Sequence, residues 1–147
     1  MFAKIHTGAI VGIDAVEVEV EANVAGGGIG LYLVGLPDNA VKESEQRIRA
    51  AFENTEYRMT AKKIVVNLAP ADLRKEGSLY DLPIAVAILA ATEQVQIRLA
   101  EDSMFIGELS LDGSLRAVKG VLPLVDMARR KGLRRVFMPC DNLCEGV

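Results

Sequence analysis

The sequence is poor in histidine, in cysteine and in aromatic residues. Its 147 residues include one histidine, two cysteines and no tryptophan, and aromatic residues make up 5% of the chain. His6 is far along the chain from Cys140 and Cys144, and these are too few ligands for a zinc site. We expect the two cysteines to be reduced thiols on one face of a helix that begins near Asp141, with a redox pair as the alternative.

The sequence also lacks a long apolar run and a large excess of charge. No segment reaches the roughly 18 apolar residues of a membrane span. Residues 1–10 contain no basic region followed by an apolar one, so we predict a cytoplasmic protein with no membrane partner. The net charge of −3 means that any DNA contact would need a local basic patch. Half of the residues are apolar, which is enough for a single globular domain over residues 1–147.

Alternating residue types near the amino terminus predict β-structure. Apolar residues alternate with glutamates over residues 16–22, which indicates a strand with one buried face and one face of carboxylates. Together with residues 2–11 and 29–36, this strand is expected to form an antiparallel meander. The glycines at 26–28 are expected to be a flexible hairpin connection, because neither a helix nor a Lys-Ser/Thr pair follows them to bind a phosphate.

Helices and strands alternate in the rest of the sequence. We expect a helix over residues 38–54 capped by Asp38, an apolar core helix over residues 81–92, and a helix over residues 120–131. Further strands are expected at residues 63–68, 104–109, 114–117 and 135–138. Strands followed by alternating helices and strands favour an α+β, or mixed α/β, fold.

The signatures of several enzyme classes are absent. The sequence contains no Walker A sequence for ATP, no HExxH of a metalloprotease and no G-x-S-x-G of an esterase. Residues 1–147 therefore carry no signature of these three activities.

Several long stretches resemble a known family. They are VNLAPADLRKEGSLYDLPIA at residues 66–85, FIGELSLDG at 105–113, LRAVKG at 115–120, GLPD at 35–38 and RIRAA at 47–51. Through them, nearly the whole chain resembles the amino-terminal domain of the ComM/YifB-type, magnesium-chelatase-like AAA+ ATPases. The resemblance implies a ribosomal protein S5 domain 2-like fold, as in the proteolytic domain of Lon, with an AAA+ domain further along the protein.

The similarity to Lon also implies where catalytic residues would lie. The nucleophilic serine of Lon falls on Asp81 and the activating lysine falls on Leu122. A carboxylate and a leucine cannot act as nucleophile and base, so we expect no catalytic residue here. Asp81 is instead expected to accept hydrogen bonds from free N–H groups at the start of its helix. A displaced dyad of Ser78 with Lys75 or Lys119 is the alternative, although Ser78 lies in a polar loop where a turn role is expected.

Two charged clusters are candidate interaction surfaces. The first consists of Asp72, Arg74, Lys75 and Glu76, together with Asp81. It is either a solvated loop with local ion pairs or a contact for a neighbouring subunit or the ATPase domain. The second consists of Arg129, Arg130, Lys131, Arg134 and Arg135. It is either a set of cations favoured at a helix carboxyl end or a contact for phosphate or an acidic partner.

The resemblance further implies a function for the parent protein. It would be a hexameric, ATP-driven DNA translocase that promotes branch migration in natural transformation. This domain would be a non-catalytic module for assembly or substrate engagement, with its own AAA+ domain, neighbouring subunits and DNA as partners of the full-length protein. ATP and Mg²⁺ are expected in the full-length protein, and no cofactor is expected in this part of it. The alternatives are a metal-insertion ATPase subunit like that of magnesium chelatase and an atypical Ser/Lys peptidase.

Overall fold

A computed structural model describes residues 1–143 of the chain. Their strands are β1 (Phe2–Val11), β2 (Asp14–Ala25), β3 (Gly30–Val34), β4 (Lys63–Ala69), β5 (Ser103–Phe105), β6 (Glu108–Leu109), β7 (Leu115–Arg116) and β8 (Arg135–Phe137). Their α-helices are α1 (Asn39–Lys42), α2 (Ser44–Glu53), α3 (Asp81–Ala91) and α4 (Val121–Arg130). Two single 3-10 turns lie at Ala100–Asp102 and Cys140–Asn142. The α+β fold class predicted from the sequence is confirmed.

The first two strands form a long antiparallel hairpin that turns at Gly12, whose φ is +64°. The predicted alternation is confirmed over residues 17–22, where Val18, Val20 and Ala22 are fully buried while the intervening glutamates are partly exposed; it is wrong for Val16, which is exposed. Ile5 and Ala9 of β1 are also buried. This hairpin is the centre of the sheet.

The predicted meander is wrong beyond the hairpin. The six-stranded sheet has the order β3-β4-β2-β1-β5-β8, so β3 does not pair with β2. Strand β4 lies between them, antiparallel to β2 and parallel to β3. The glycines at 26–28 are therefore a crossover connection and not a hairpin turn. The physical reason is that β4 is rich in β-branched residues and buries Ile64, Val66 and Leu68, which suits a strand inside the sheet. Its two edges pair with β2 and β3.

The remaining helices and strands agree with the predictions, except that one predicted helix and one predicted strand are each interrupted. Asp38 caps α1 by accepting a hydrogen bond from the backbone N–H of Val41 at 2.8 Å, as predicted, but the expected single helix is broken at Glu43. The strand expected at 104–109 is split into β5 and β6 around Gly107, whose φ is +159°. Helix α3 is buried along nearly its whole length, which confirms its predicted place in the core.

Helices α3 and α4 both pack against the central hairpin of β1 and β2. Leu124 and Met127 of α4 approach Gly8 so closely that a Cβ there would lie 2.6 and 2.7 Å from their side chains. Helix α2 packs on α3 and brings its amino-terminal half to the start of that helix. Within residues 1–143, no helix has the length and apolar character needed to cross a membrane.

Candidate functional site

Asp81 begins α3 and is fully buried, although it carries a carboxylate. Ser44 Oγ donates a hydrogen bond of 2.5 Å to its Oδ1. Arg47 donates from Nε to Oδ2 at 2.6 Å and from Nη2 to Oδ1 at 3.0 Å. The backbone N–H of Leu109 donates to Oδ2 at 3.0 Å. Each oxygen of Asp81 therefore accepts two hydrogen bonds, and the buried charge is paired with a guanidinium.

These contacts join three elements, because Ser44 and Arg47 lie on α2, Asp81 on α3 and Leu109 on β6. The hydrogen bond to Asp81 is the main cause that raises the pKa of Arg47. The predicted cap is wrong in its partners: the carboxylate binds groups of other elements and not the N–H groups of its own helix. A buried carboxylate needs a counter-charge more than it needs a helix end, and α2 supplies one. Asp81 is consequently not a surface residue, contrary to the prediction.

Leu122, at the other position implied by Lon, has a different environment. It lies in the first turn of α4 and its exposed fraction is 60%. An exposed leucine offers no base, and a buried carboxylate with all its lone pairs engaged offers no free nucleophile. The two residues thus provide neither half of a hydrolytic dyad.

A cleft of about 680 Å³ lies between the loop before α3 and the segment that leads into α4. Its charged and polar lining comprises Asp38, Arg74, Glu76, Ser78, Glu108 and Lys119. Ser78 Oγ donates a short hydrogen bond to Glu108 Oε1, and the other carboxylate oxygen of Glu108 lies 4.0 Å from Arg116 Nε. Sequence reasoning missed Glu108, although it follows Gly107 in one of the stretches that carried the resemblance.

Ser78 does not hydrogen-bond to Lys75 or Lys119, its two possible partners in the displaced dyad, in the described residues. Lys119 is exposed and makes no hydrogen bond or ion pair with any residue in the described part of the chain. Lys75 donates from Nζ to backbone carbonyls and not to Ser78. The backbone carbonyl of Ser78 accepts from the N–H of Asp81 at 3.2 Å, which is consistent with the predicted turn role. Ser78 is thus held by a carboxylate, without a lysine to activate it.

Lys75 is the second residue whose predicted exposure is wrong, since it is fully buried. Its Nζ donates to the carbonyl of Gly35 at 2.8 Å and also to that of Pro70. Burial lowers the pKa of this lysine, and Asp72 offsets part of that effect. Its backbone N–H donates to Leu36 and its carbonyl accepts from Asp38. Lys75 therefore ties the loop before α3 to the segment before α1. The sequence does not reveal that these carbonyls converge.

The other members of the first charged cluster remain at the surface. Arg74 and Glu76 form an ion pair of 3.1 Å with exposed fractions of 70% and 69%, and Asp72 is exposed. Their exposure agrees with a solvated loop and equally with a contact surface, so both interpretations stay open. An exposed pair of this kind contributes little to stability.

The second charged cluster lies at the end of α4 and the start of β8. Arg129 and Arg130 each lie 3.0 Å from a different oxygen of Asp126. Their hydrogen bonds lower the pKa of Asp126, with that from Arg129 as the largest cause. Lys131, Arg134 and Arg135 are exposed and have no ion pair among residues 1–143.

Histidine and cysteine do not form a binding site in the described residues. His6 Nδ1 lies 3.1 Å from Glu17 Oε1 on the neighbouring strand. Cys140 is an exposed free thiol in a single 3-10 turn, while Cys144 and most of the helix predicted from Asp141 lie outside the described residues. No group of three or more His, Cys, Asp and Glu in residues 1–143 is arranged to hold a metal ion.

Comparison with known proteins identifies the family of this chain. Residues 20–142 match the family described as Subunit ChlI of Mg-chelatase. The chain belongs to this ChlI family. The match includes Ser44, Arg47, Asp81 and Glu108, so the buried network and the cleft lie within the family region. The family resemblance predicted from the sequence is confirmed.

Relatives of this ChlI-family chain extend well beyond it. The chain is 46% identical to the uncharacterized protein YifB of Salmonella typhimurium and 42% identical to the competence protein ComM of Haemophilus influenzae. Each match covers 143 residues, or 97% of this chain but only 28% of the relative. The peroxisomal Lon protease homolog 2 of Caenorhabditis briggsae is 35% identical over 79 residues, which is 54% of this chain and 10% of that protein. The similarity to Lon is thus weaker and covers less of the chain.

Proposed function

We propose that this chain is the non-catalytic, Lon-like amino-terminal domain of a ComM-type AAA+ ATPase that processes DNA in the cytoplasm. The observation that carries the proposal is the state of Asp81, which is fully buried and bound by Ser44, Arg47 and the backbone of Leu109. A residue so engaged holds three elements together and does not attack a substrate. The domain would therefore act through its surface, by assembly or by contact with the substrate of the motor.

The DNA-processing role is supported by the relatives. One relative, identical at 42% of positions over 143 residues, is named a competence protein, and competence is the uptake of DNA. We infer branch migration by a hexamer as the activity of the parent protein, with neighbouring subunits and DNA as its partners.

ATP and Mg²⁺ belong to the proposed motor domain and not to these residues. The one glycine run, at residues 26–28, connects two strands, whereas a phosphate loop leads from a strand into a helix whose amino end faces the phosphates. This glycine run therefore does not have the surroundings of a phosphate loop. The motor would supply the energy of ATP hydrolysis, and this domain would supply binding surfaces.

The test uses a longer protein that contains this domain, compared with a version that lacks residues 1–143. We expect the longer protein to hydrolyse ATP faster in the presence of DNA and to move a three-stranded branch point. Deletion of the domain should preserve basal hydrolysis but abolish branch movement or hexamer formation. A longer protein without ATPase activity, or a deletion that leaves branch movement unchanged, would contradict the proposal.

A second candidate is metal insertion into a porphyrin, which the description of the ChlI family favours. The same longer protein distinguishes the two functions. ATP-dependent insertion of Mg²⁺ into protoporphyrin, measured by fluorescence, would support the second candidate. DNA-stimulated ATP hydrolysis without insertion would support the first.

A further inference from the structure

Positive charge is concentrated in one short segment of an acidic chain. Residues 126–135 contain five cations and one carboxylate, whereas the whole chain has a net charge of −3. The carboxylate, Asp126, is shared by Arg129 and Arg130. Lys131, Arg134 and Arg135 are exposed and without an acidic partner in the described residues. This segment is therefore the local basic patch that a DNA contact would require.

An exposed aromatic ring lies next to these cations. Phe137 has an exposed fraction of 42% and stacks on Phe105, with the ring centroids 4.8 Å apart and the planes at 12°. Its strand, β8, is an edge of the six-stranded sheet. Because side chains two apart on a strand point to the same side, Arg135 and Phe137 lie on the same side of β8. The stacked pair places the partly exposed ring of Phe137 at this edge of the sheet.

Two shallow grooves meet at Val136. One, of about 340 Å³, is lined by Arg129, Arg134 and Arg135 together with apolar residues of α4. The other, of about 350 Å³, is apolar and includes Phe105 and Phe137. The surface formed by these grooves, here named the β8 surface, thus has a cationic half and an aromatic half that share Val136 at the sheet edge.

We propose that the β8 surface binds single-stranded DNA, with phosphates contacting Arg134 and Arg135 and a base stacking on Phe137. Proteins that bind single strands combine a positive groove with exposed aromatic rings in this way. A duplex would satisfy only the cationic half, because its bases are already stacked on each other. An acidic protein segment would likewise use the arginines without needing a flat ring. The inference rests on the proposed DNA-processing function and assigns one contact to this domain.

The experiment measures fluorescence anisotropy of a labelled oligo(dT) with the 147-residue chain at low salt. Substitution of Arg134→Gln and Arg135→Gln together should weaken binding at least about tenfold. The slope of log affinity against log salt should fall in magnitude by about 1.4, because each phosphate contact to a single strand contributes about 0.7. The matched control is Lys42→Gln with Lys62→Gln, which removes the same charge from two exposed lysines outside the β8 surface. It should change affinity less than about twofold.

The aromatic half is tested by Phe137→Leu, which keeps an apolar side chain against Phe105 but removes the flat ring. We expect a loss of affinity of about fivefold or more for oligo(dT), the size of one base stacking contact, and no change for a duplex of equal length. Circular dichroism verifies that each variant is folded. The proposal is wrong if the unsubstituted chain does not bind oligo(dT). Equal losses in the arginine and lysine variants, or an unchanged affinity in Phe137→Leu, would also overturn it.

Different results would contradict DNA binding at the β8 surface and the proposed function. A chain that binds no oligo(dT), in a parent protein whose branch movement still depends on the domain, would overturn only the β8 surface as a DNA contact. A parent protein with no DNA-stimulated ATPase activity would overturn the proposed function itself.

Discussion

Arg47 on α2 donates hydrogen bonds of 2.6 and 3.0 Å to the two oxygens of Asp81, the first residue of α3. Asp81 has no exposed surface, so its charge depends on this guanidinium and on the donors from Ser44 and Leu109. The residue onto which the resemblance to Lon was expected to place the nucleophile is thus a structural anion. Its removal is predicted to damage the fold and not an activity.

The first prediction is that Asp81→Ala lowers the free energy of unfolding by about 3 kcal/mol or more, because it removes the buried carboxylate that pairs with Arg47 and leaves the buried N–H of Leu109 without its acceptor. Urea unfolding followed by circular dichroism measures the change. Arg130→Ala is the matched control, since its pair with Asp126 is exposed, and it should cost less than about 0.5 kcal/mol. Similar losses for the two substitutions would contradict the structural role of Asp81.

The second prediction is that restoring the Lon-like residues does not restore proteolysis. Asp81→Ser with Leu122→Lys would put a hydroxyl in a buried network and an amine on an exposed helix turn. The serine would also remove the buried carboxylate that pairs with Arg47. We expect no hydrolysis of fluorescent casein and a less stable protein. A serine-reactive phosphonate should also fail to label Ser78 of the unsubstituted chain, with chymotrypsin as the positive control. Labelling of Ser78 would revive the peptidase alternative.

The third prediction concerns Lys75, whose pKa is lowered mainly by burial. Between this lowered pKa and the unfolded value of about 10.4, the unfolded chain binds more protons than the folded one, so stability due to this group rises with pH. Below the folded pKa the lysine is charged in both states, and the cost of burying that charge is constant.

Lys75→Met removes both the charge and the donors to Gly35 and Pro70, with an expected loss of about 2 kcal/mol at neutral pH. Unfolding curves at several pH values compare the two proteins. As the pH approaches about 10.4, the free energy of unfolding of the unsubstituted protein should rise relative to that of the Lys75→Met variant. A constant difference between the two proteins up to that pH would show that burial does not perturb Lys75.

The fourth prediction compares two glycines with positive φ. Gly35, with φ of +105°, lies so close to the backbone of Leu68 that an added Cβ would be 2.2 Å from its carbonyl oxygen. Gly27, with φ of +89°, has nothing within 4 Å of such a Cβ. Gly27→Ala should therefore cost only about 1 kcal/mol of backbone strain, whereas Gly35→Ala should cost clearly more. Thermal unfolding measures both, and equal losses would mean that the close approach to Leu68 is unimportant.

Local features of the fold were predictable because they depend on neighbours in the sequence. The glutamate alternation over residues 17–22, the cap at Asp38 and the apolar helix α3 each follow from a period of two, a side-chain acceptor or a continuous apolar run. The ion pair of Arg74 and Glu76 is also local. Each of these features was predicted from short-range information alone.

The errors have a common cause, which is contact between residues far apart in the sequence. Strand β4 inserts between β2 and β3, although more than 25 residues separate it from the end of β3. Lys75 reaches a carbonyl 40 positions away, and Ser78 reaches Glu108, which is 30 positions away. A charged residue in a polar loop is exposed by default, and only the convergence of such groups makes its burial favourable.

The sequence by itself determined the α+β class, most of the helices and strands, and the family, because periodicity, helix caps and ordered motifs depend on residues that are close together in the sequence. Tertiary structure alone decided that Asp81 and Lys75 are buried, that Glu108 accepts a hydrogen bond from Ser78, and that Phe137 stacks on Phe105 at a sheet edge. The reason is physical. The burial and pairing of charges depend on which groups, distant in the sequence, come into contact. The packing of β4, α2 and β8 determines those contacts.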